Sequence, residues 1–131
     1  MATEEDLARE LLRLAEDDLV AARTLLPAPA VADAIVGFHA QQAVEKSLKA
    51  ALAASGADFP FTHNVDLLMQ LCEDAGLPVP GSLQDAGLLT PYAAKLRYGG
   101  PARGGVEREA SLSLASAAVH WATGVVPPLV G

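Results

Sequence analysis

Residues 38–50 read Phe-His-Ala-Gln-Gln-Ala-Val-Glu-Lys-Ser-Leu-Lys-Ala, and this stretch is the most informative part of the sequence for the fold. Wound as a helix at about 100° per residue, it places its small side chains together on one side. These small residues are Ala40, Ala43, Ser47 and Ala50. Small side chains let a neighbouring helix approach closely. The stretch therefore predicts a long helix from about Ala30 to Ser55, ended by Gly56, that packs inside a bundle.

The same helix carries a stripe of polar side chains, spaced three, four and three residues apart: His39, Gln42, Lys46 and Lys49. Glu45 lies beside this stripe, four residues before Lys49. Periodicity alone leaves two interpretations open. The stripe is either a solvated face with a Glu45–Lys49 pair, or a partly buried polar groove or subunit interface.

Working outward, apolar spacing and capping residues predict further helical segments along the chain. These segments are Glu4–Leu26, His63–Ala75, Ser82–Tyr98 with an interruption at Pro91, and Val106–Val125. Thr3 can cap the first, either Thr62 or Asn64 can cap the third helix of the chain, and Gly76 can end it.

The composition of the chain favours an all-α fold. The sequence has 131 residues, of which 51% are hydrophobic and only 5% aromatic, so a β-sandwich is improbable. A mass of 13.5 kDa suits one core. We therefore expect residues 1–131 to form a single domain, an up-and-down antiparallel bundle of four to five helices.

The charge of the chain limits its partners. A net charge of −7 argues against broad, non-specific binding of nucleic acid. However, residues 86–106 contain no acidic residue and include Lys95, Arg97 and Arg103. The glycine-rich loop around Arg103 leads into a predicted helix, whose first N–H groups can hold a phosphate. The alternative is a surface linker with incidental arginines.

The sequence predicts a cytoplasmic protein that needs neither a metal nor another cofactor. The single Cys72 excludes an internal disulfide and, set among leucines, is expected to be a buried, inert thiol. The acidic N-terminal residues are unlike a signal peptide, and polar residues with Pro127-Pro128 interrupt the uncharged tail, so no membrane association is expected. No Glu-x-x-His or zinc-type spacing is present.

The block at residues 38–50 resembles the second-helix signature of HEPN domains, an aromatic residue followed by Gln-Gln-Ala-x-Glu-Lys-x-x-Lys-Ala. Three other segments resemble the family in the same order: residues 18–26 with Asp18-Leu19 and Leu25-Leu26, residues 62–68 with Thr62-His63-Asn64, and Leu96-Arg97-Tyr98. The resemblance implies a small helical bundle, commonly a homodimer. Many bacterial members act with a minimal nucleotidyltransferase as a toxin–antitoxin pair or two-component complex. Some members are metal-independent ribonucleases, and others are thought to bind nucleotides.

The ribonuclease members carry Arg, then four to six residues, then His, and this chain lacks that spacing. Arg97 would need His at positions 102–104, which hold Ala, Arg and Gly. The resemblance therefore favours a non-catalytic partner of a nucleotidyltransferase that binds a nucleotide or phosphate. The residues expected to bind it are Gln42, Glu45, Lys46, Lys49, His63, Arg97, Tyr98 and Arg103. The alternatives are a ribonuclease toxin that uses His63 with Arg97 or Arg103, and an adaptor without a ligand.

Overall fold

The computed structural model describes residues 3–93 and 107–129, and the regular structure within these ranges is entirely helical. It comprises α1 (Glu4–Leu25), α2 (Asp33–Ala54), α3 (Val65–Asp74), α4 (Arg108–Val125) and the 3₁₀ turns Gly81–Leu83 and Ala86–Leu89. The prediction of an all-α helical bundle is confirmed. None of the described helices is both long and apolar enough to cross a bilayer.

The helix ends follow the local sequence closely. Thr3 and Asp6 form a capping box at the start of α1, each side chain accepting a hydrogen bond from the other's backbone N–H. Asn64, rather than Thr62, caps α3 by accepting from the N–H of Leu67. Gly56 and Gly76 follow α2 and α3 with φ of 76° and 80°, the left-handed conformation that glycine adopts without strain.

The segment that begins at Ser82 differs from the expected α-helix. Up to Leu89 it consists of the two 3₁₀ turns, with Leu83 and Leu89 buried beneath them. Gly87 lies against the carboxylate of Asp66, where a Cβ would collide with the carboxylate oxygens. The tight turns bring the chain back over the core within a few residues, which a continuous helix could not do. Residues 94–98 of the predicted segment lie outside the described residues.

Helix α2 is the centre of the bundle. Fourteen of its 22 residues are buried, and the small-residue side predicted from sequence is fully covered. Helix α1 runs antiparallel to it, since Ala8 packs with Ala50 and Ala53 at one end and Asp18 reaches His39 nearer the other. Because α2 is covered on so many sides, the hydroxyl of Ser47 is buried, and it has no hydrogen-bond partner among the described residues.

Helix α4 closes the bundle at both of its ends. At its start, Arg108 donates hydrogen bonds into the loop that joins α1 to α2 and forms an ion pair with Asp33. Just after its end, Val126 belongs to the same buried apolar cluster as Ala8 of α1. Nearby, Arg9 Nη1 donates to the carbonyl of Pro127 at 3.5 Å. The start of α1 and the chain after α4 therefore lie side by side.

Cys72 lies in the core between α3 and α2, as the sequence predicted. The residue is fully buried, and its Sγ is 3.8 Å from the carbonyl oxygen of Leu48. Burial, with a smaller effect from the nearby Glu73 carboxylate, raises the pKa of Cys72 to about 12. The thiolate, which is the reactive form, is therefore scarce at neutral pH.

Candidate functional site

A buried carboxylate organises the candidate site. Glu45 is only 4% exposed, and its two oxygens accept three side-chain hydrogen bonds. Oε1 accepts from Gln41 Nε2 at 2.8 Å and from His63 Nδ1 at 2.8 Å. Oε2 accepts from Lys49 Nζ at 3.0 Å. We call Gln41, Glu45, Lys49 and His63 the Glu45 cluster.

Local sequence explains how the Glu45 cluster is assembled. Gln41, Glu45 and Lys49 are spaced four residues apart on α2, so their side chains lie one above another on the same face. The loop after α2 supplies His63, whose backbone carbonyl also accepts from Gln41 Nε2 at 3.3 Å. The start of α3 holds this loop in place, because the N–H of Val65 donates to the hydroxyl of Thr90 at 3.1 Å.

The cluster is electrostatically balanced. Burial by itself would raise the pKa of Glu45, but the hydrogen bonds from Gln41, His63 and Lys49, together with the Lys49 charge, outweigh burial. The pKa of Glu45 therefore lies below its ordinary value, and the carboxylate is ionised at neutral pH. A buried carboxylate with three donors fixes the positions of those donors more firmly than a solvated pair would.

His63 is a half-exposed histidine with one ring nitrogen held by Glu45. Because the Glu45 carboxylate is an acceptor, Nδ1 of His63 carries the proton, which leaves Nε2 as an acceptor in the neutral ring. The side chain of His63 is 47% exposed. A histidine oriented by a buried carboxylate can accept a proton at its other nitrogen, and in the protonated ring that nitrogen can donate to a phosphate oxygen.

An exposed aromatic ring lies next to His63. Phe61 is 94% exposed, its ring centroid is 5.8 Å from that of His63 in an edge-to-face arrangement, and Lys49 Nζ is 5.7 Å from it. An aromatic ring left this exposed is suited to stack with another flat ring.

A second polar group joins α1 to α2. The Asp18 carboxylate accepts from His39 Nδ1 at 3.0 Å and from Lys46 Nζ at 2.6 Å. The Asp18 side chain is 13% exposed, so this contact is largely shielded from water. Lys46 and His39 therefore link α2 to α1 through Asp18, and this contact is separate from the Glu45 cluster.

The family model for the HEPN domain matches residues 8–125 of the chain. The chain belongs to the HEPN family. No curated protein and no solved structure matches it. The matched HEPN region spans α1 to α4 and includes both the Glu45 cluster and the Asp18 contact.

Within this HEPN domain, the structure brings together part of the predicted site. Glu45, Lys49 and His63 meet directly, and Gln42 joins them indirectly, since its Nε2 donates to Gln41 Oε1 at 2.6 Å. Lys46 is held instead by Asp18. Three predicted residues lie outside the described residues, namely Arg97, Tyr98 and Arg103. The interpretation of the stripe as a solvated face is wrong for Glu45 and Lys49, because both are buried.

Three residues in these contacts, Gln41, Asp18 and Phe61, were not among the predicted site residues. Gln41 was not among the predicted binding residues, although its spacing of four residues from Glu45 indicates an interaction. Asp18 and Phe61 meet α2 only through tertiary packing, so no local spacing could identify them. Among residues 3–93 and 107–129, no three His, Cys, Asp or Glu side chains lie close enough together to hold a metal ion.

Proposed function

We propose that this HEPN domain is a non-catalytic nucleotide-binding module and the partner of a minimal nucleotidyltransferase. The observation that carries the nucleotide proposal is the pairing of a buried, ionised Glu45 with a half-exposed His63 directly beside the exposed ring of Phe61. This arrangement offers a stacking surface and a fixed hydrogen-bonding group within one short loop.

The proposed binding mode assigns different parts of the nucleotide to different side chains. The base stacks on Phe61, an interaction that tolerates any base because each has a π-face. In its doubly protonated form, the His63 ring donates from Nε2 to a phosphate oxygen. The hydroxyl of Thr90 accepts a hydrogen bond from the N–H of Val65 at the start of α3, two residues after His63. Arg97 and Tyr98 follow Thr90 in the sequence. We propose that Arg97 and Arg103 supply the positive charge of the site and that Tyr98 supplies a second aromatic ring. Lys49 cannot supply that charge, because it is already paired with Glu45.

Nucleotide titrations followed by two-dimensional amide NMR test this proposal. ATP and GTP are expected to shift the amides of Phe61 and His63, and Phe61→Ala should weaken binding about tenfold through the loss of stacking. Leu129→Ala is the matched control, since Leu129 is also strongly exposed, at 77%. Unchanged spectra with both nucleotides, or equal weakening by both variants, would refute nucleotide binding at this loop.

The proposed assembly is a cytoplasmic homodimer of single-domain chains that binds a minimal nucleotidyltransferase. Family membership supports this proposal, since such pairs are common among bacterial HEPN proteins. Light scattering after size exclusion should give twice the 13.5 kDa chain mass, and a minimal nucleotidyltransferase from the same genome should co-purify with the chain when the two are co-expressed. A monomer mass would contradict the dimer, and failure to co-purify would contradict the pairing.

A ribonuclease toxin is the second candidate, and the Glu45–His63 contact is the observation that favours it. With Nδ1 held by Glu45, Nε2 of His63 is placed to accept the proton of an RNA 2′-hydroxyl. The usual Arg-x4-6-His spacing is nevertheless absent from the sequence. Cleavage of RNA by the purified chain that is lost in His63→Gln would establish this activity. An inactive wild-type chain whose overexpression leaves growth unchanged would eliminate it.

A further inference from the structure

Arg23, in the last turn of α1, differs from the other basic side chains of the described residues. Each of the other five lies within 4.0 Å of a carboxylate: Arg9, Arg13, Lys46, Lys49 and Arg108. For Arg23, no carboxylate partner exists within residues 3–93 and 107–129. In a chain with a net charge of −7 and 16 acidic residues, an arginine without a carboxylate partner is unusual.

The side chain of Arg23 lines a groove between α1 and α4. The groove has a volume of about 610 Å³ and is open to solvent. Its α4 wall is one helical stripe, formed by Leu112, Ser113, Ser116, Ala117 and His120. Ser113, Ser116 and His120 are all exposed, and none of the groove-lining residues is acidic.

The chemistry of this lining suits an oxyanion. The guanidinium of arginine presents a planar fork of N–H donors that matches two oxygens of one phosphate. Serine hydroxyls and a histidine ring supply further donors on the facing wall. We propose that the α1–α4 groove binds the phosphate group of a small phosphomonoester, with Arg23 as the main ligand and Ser113, Ser116 and His120 as supporting donors.

A single small phosphate fits the groove better than a nucleic-acid backbone does. One arginine can pair with two oxygens of one phosphate group, whereas a polyanion needs a row of cations along its length. The net charge of −7 further opposes a polyanion. This site is independent of the Glu45 cluster, which shares no residue with it, so it does not rest on the function proposed above.

Titrations of the full chain with inorganic phosphate, glycerol 3-phosphate and a hexauridylate RNA test the proposal. The first two ligands are expected to shift the amides of Arg23, Ser113, Ser116 and His120 with saturation. R23Q should weaken this binding at least about tenfold, and H120Q should weaken it less. Arg23 is exposed and its replacement removes no described salt bridge, so R23Q is expected to fold, which circular dichroism verifies.

The matched control is R13Q, which replaces another exposed arginine of α1 that is paired with Glu10 and Asp17. R13Q should bind phosphate within about twofold of wild type, since its charge lies outside the groove. The proposal is overturned if R23Q binds as wild type does, if R13Q weakens binding as much as R23Q, or if only the RNA binds.

Discussion

Replacing Arg108 by alanine is expected to lower the free energy of unfolding by about 3 kcal/mol. Its Nη1 donates to the carbonyls of Leu25, Leu26 and Ala28 at 3.4, 3.0 and 3.1 Å. Nη2 donates to the carbonyl of Val31, and Nε lies 2.6 Å from Asp33 Oδ1. The carbonyls of Leu25 and Leu26 belong to the C-terminal end of α1, where the helix supplies no i+4 donors, and the Leu25 carbonyl also accepts from the N–H of Ala28.

The magnitude follows from these bonds and from the burial of the side chain, which is 17% exposed. A hydrogen bond to a charged group contributes about 1.5–3 kcal/mol. The five contacts do not add, because three carbonyls share one nitrogen and because Asp33 is 74% exposed. About two full contributions therefore remain, which gives the value of about 3 kcal/mol.

Urea unfolding followed by circular dichroism measures this loss, with Arg13→Ala as the control. The Arg13 side chain is 58% exposed and its ion-pair partners Glu10 and Asp17 are exposed side chains of α1, so its removal should lower the stability much less than removal of Arg108 does. Arg108→Lys should recover only part of the stability, because an ammonium lacks the planar fork. Hydrogen exchange should accelerate in the loop at residues 26–32. A loss in Arg108→Ala no larger than in Arg13→Ala would refute the role given to this side chain.

Three further outcomes are expected. Ser47→Ala should raise the free energy of unfolding by about 1 kcal/mol in urea melts, because it removes a buried, unpaired hydroxyl and improves helix propensity; a decrease would reveal a hydrogen bond. Since the pKa of Glu45 is lowered from 4.5, its stabilising effect is complete above pH 4.5 and is lost as the pH falls through its folded value. The stability gap between wild type and Glu45→Gln should therefore shrink as the pH falls below 4.5, and a gap that stays constant into acid would contradict the assignment. Cys72, with its pKa raised to about 12, should resist iodoacetamide at pH 8 in native protein and react in urea, as mass spectrometry can detect; rapid native labelling would contradict its burial.

The fold was largely predictable because its signals are local. The capping box at Thr3, the apolar spacing of α1 and the glycines after α2 and α3 each act within one turn of helix. The segment after Ser82 was not predictable in the same way. Its 3₁₀ turns depend on what they cover, and the steric limit at Gly87 comes from Asp66, a residue of α3.

The candidate site was predictable only in part, because some of its contacts are local and others depend on tertiary packing. The spacing of Glu45 and Lys49 indicates their contact, and the structure contains it. The burial of Glu45 and Lys49 was not evident from the sequence. Helical periodicity is interpreted by assigning polar side chains to a solvent-exposed face, whereas α2 is covered on most sides. The meeting of His63 with Glu45, across 18 residues of chain, depends on how the loop after α2 folds back.

Ala8 and Val126 belong to one buried apolar cluster, and Arg9 donates to the carbonyl of Pro127, so the start of α1 lies near the chain after α4. This proximity has a practical consequence for circular permutation. A short peptide joining these two neighbouring points would not have to cross the bundle. New ends could then be opened at the exposed turn around Gly76 without separating α2 from either long neighbour. A circularly permuted chain of this kind is expected to retain the native packing. Fluorophores attached next to the joining peptide would report on local separation of α1 from the chain after α4.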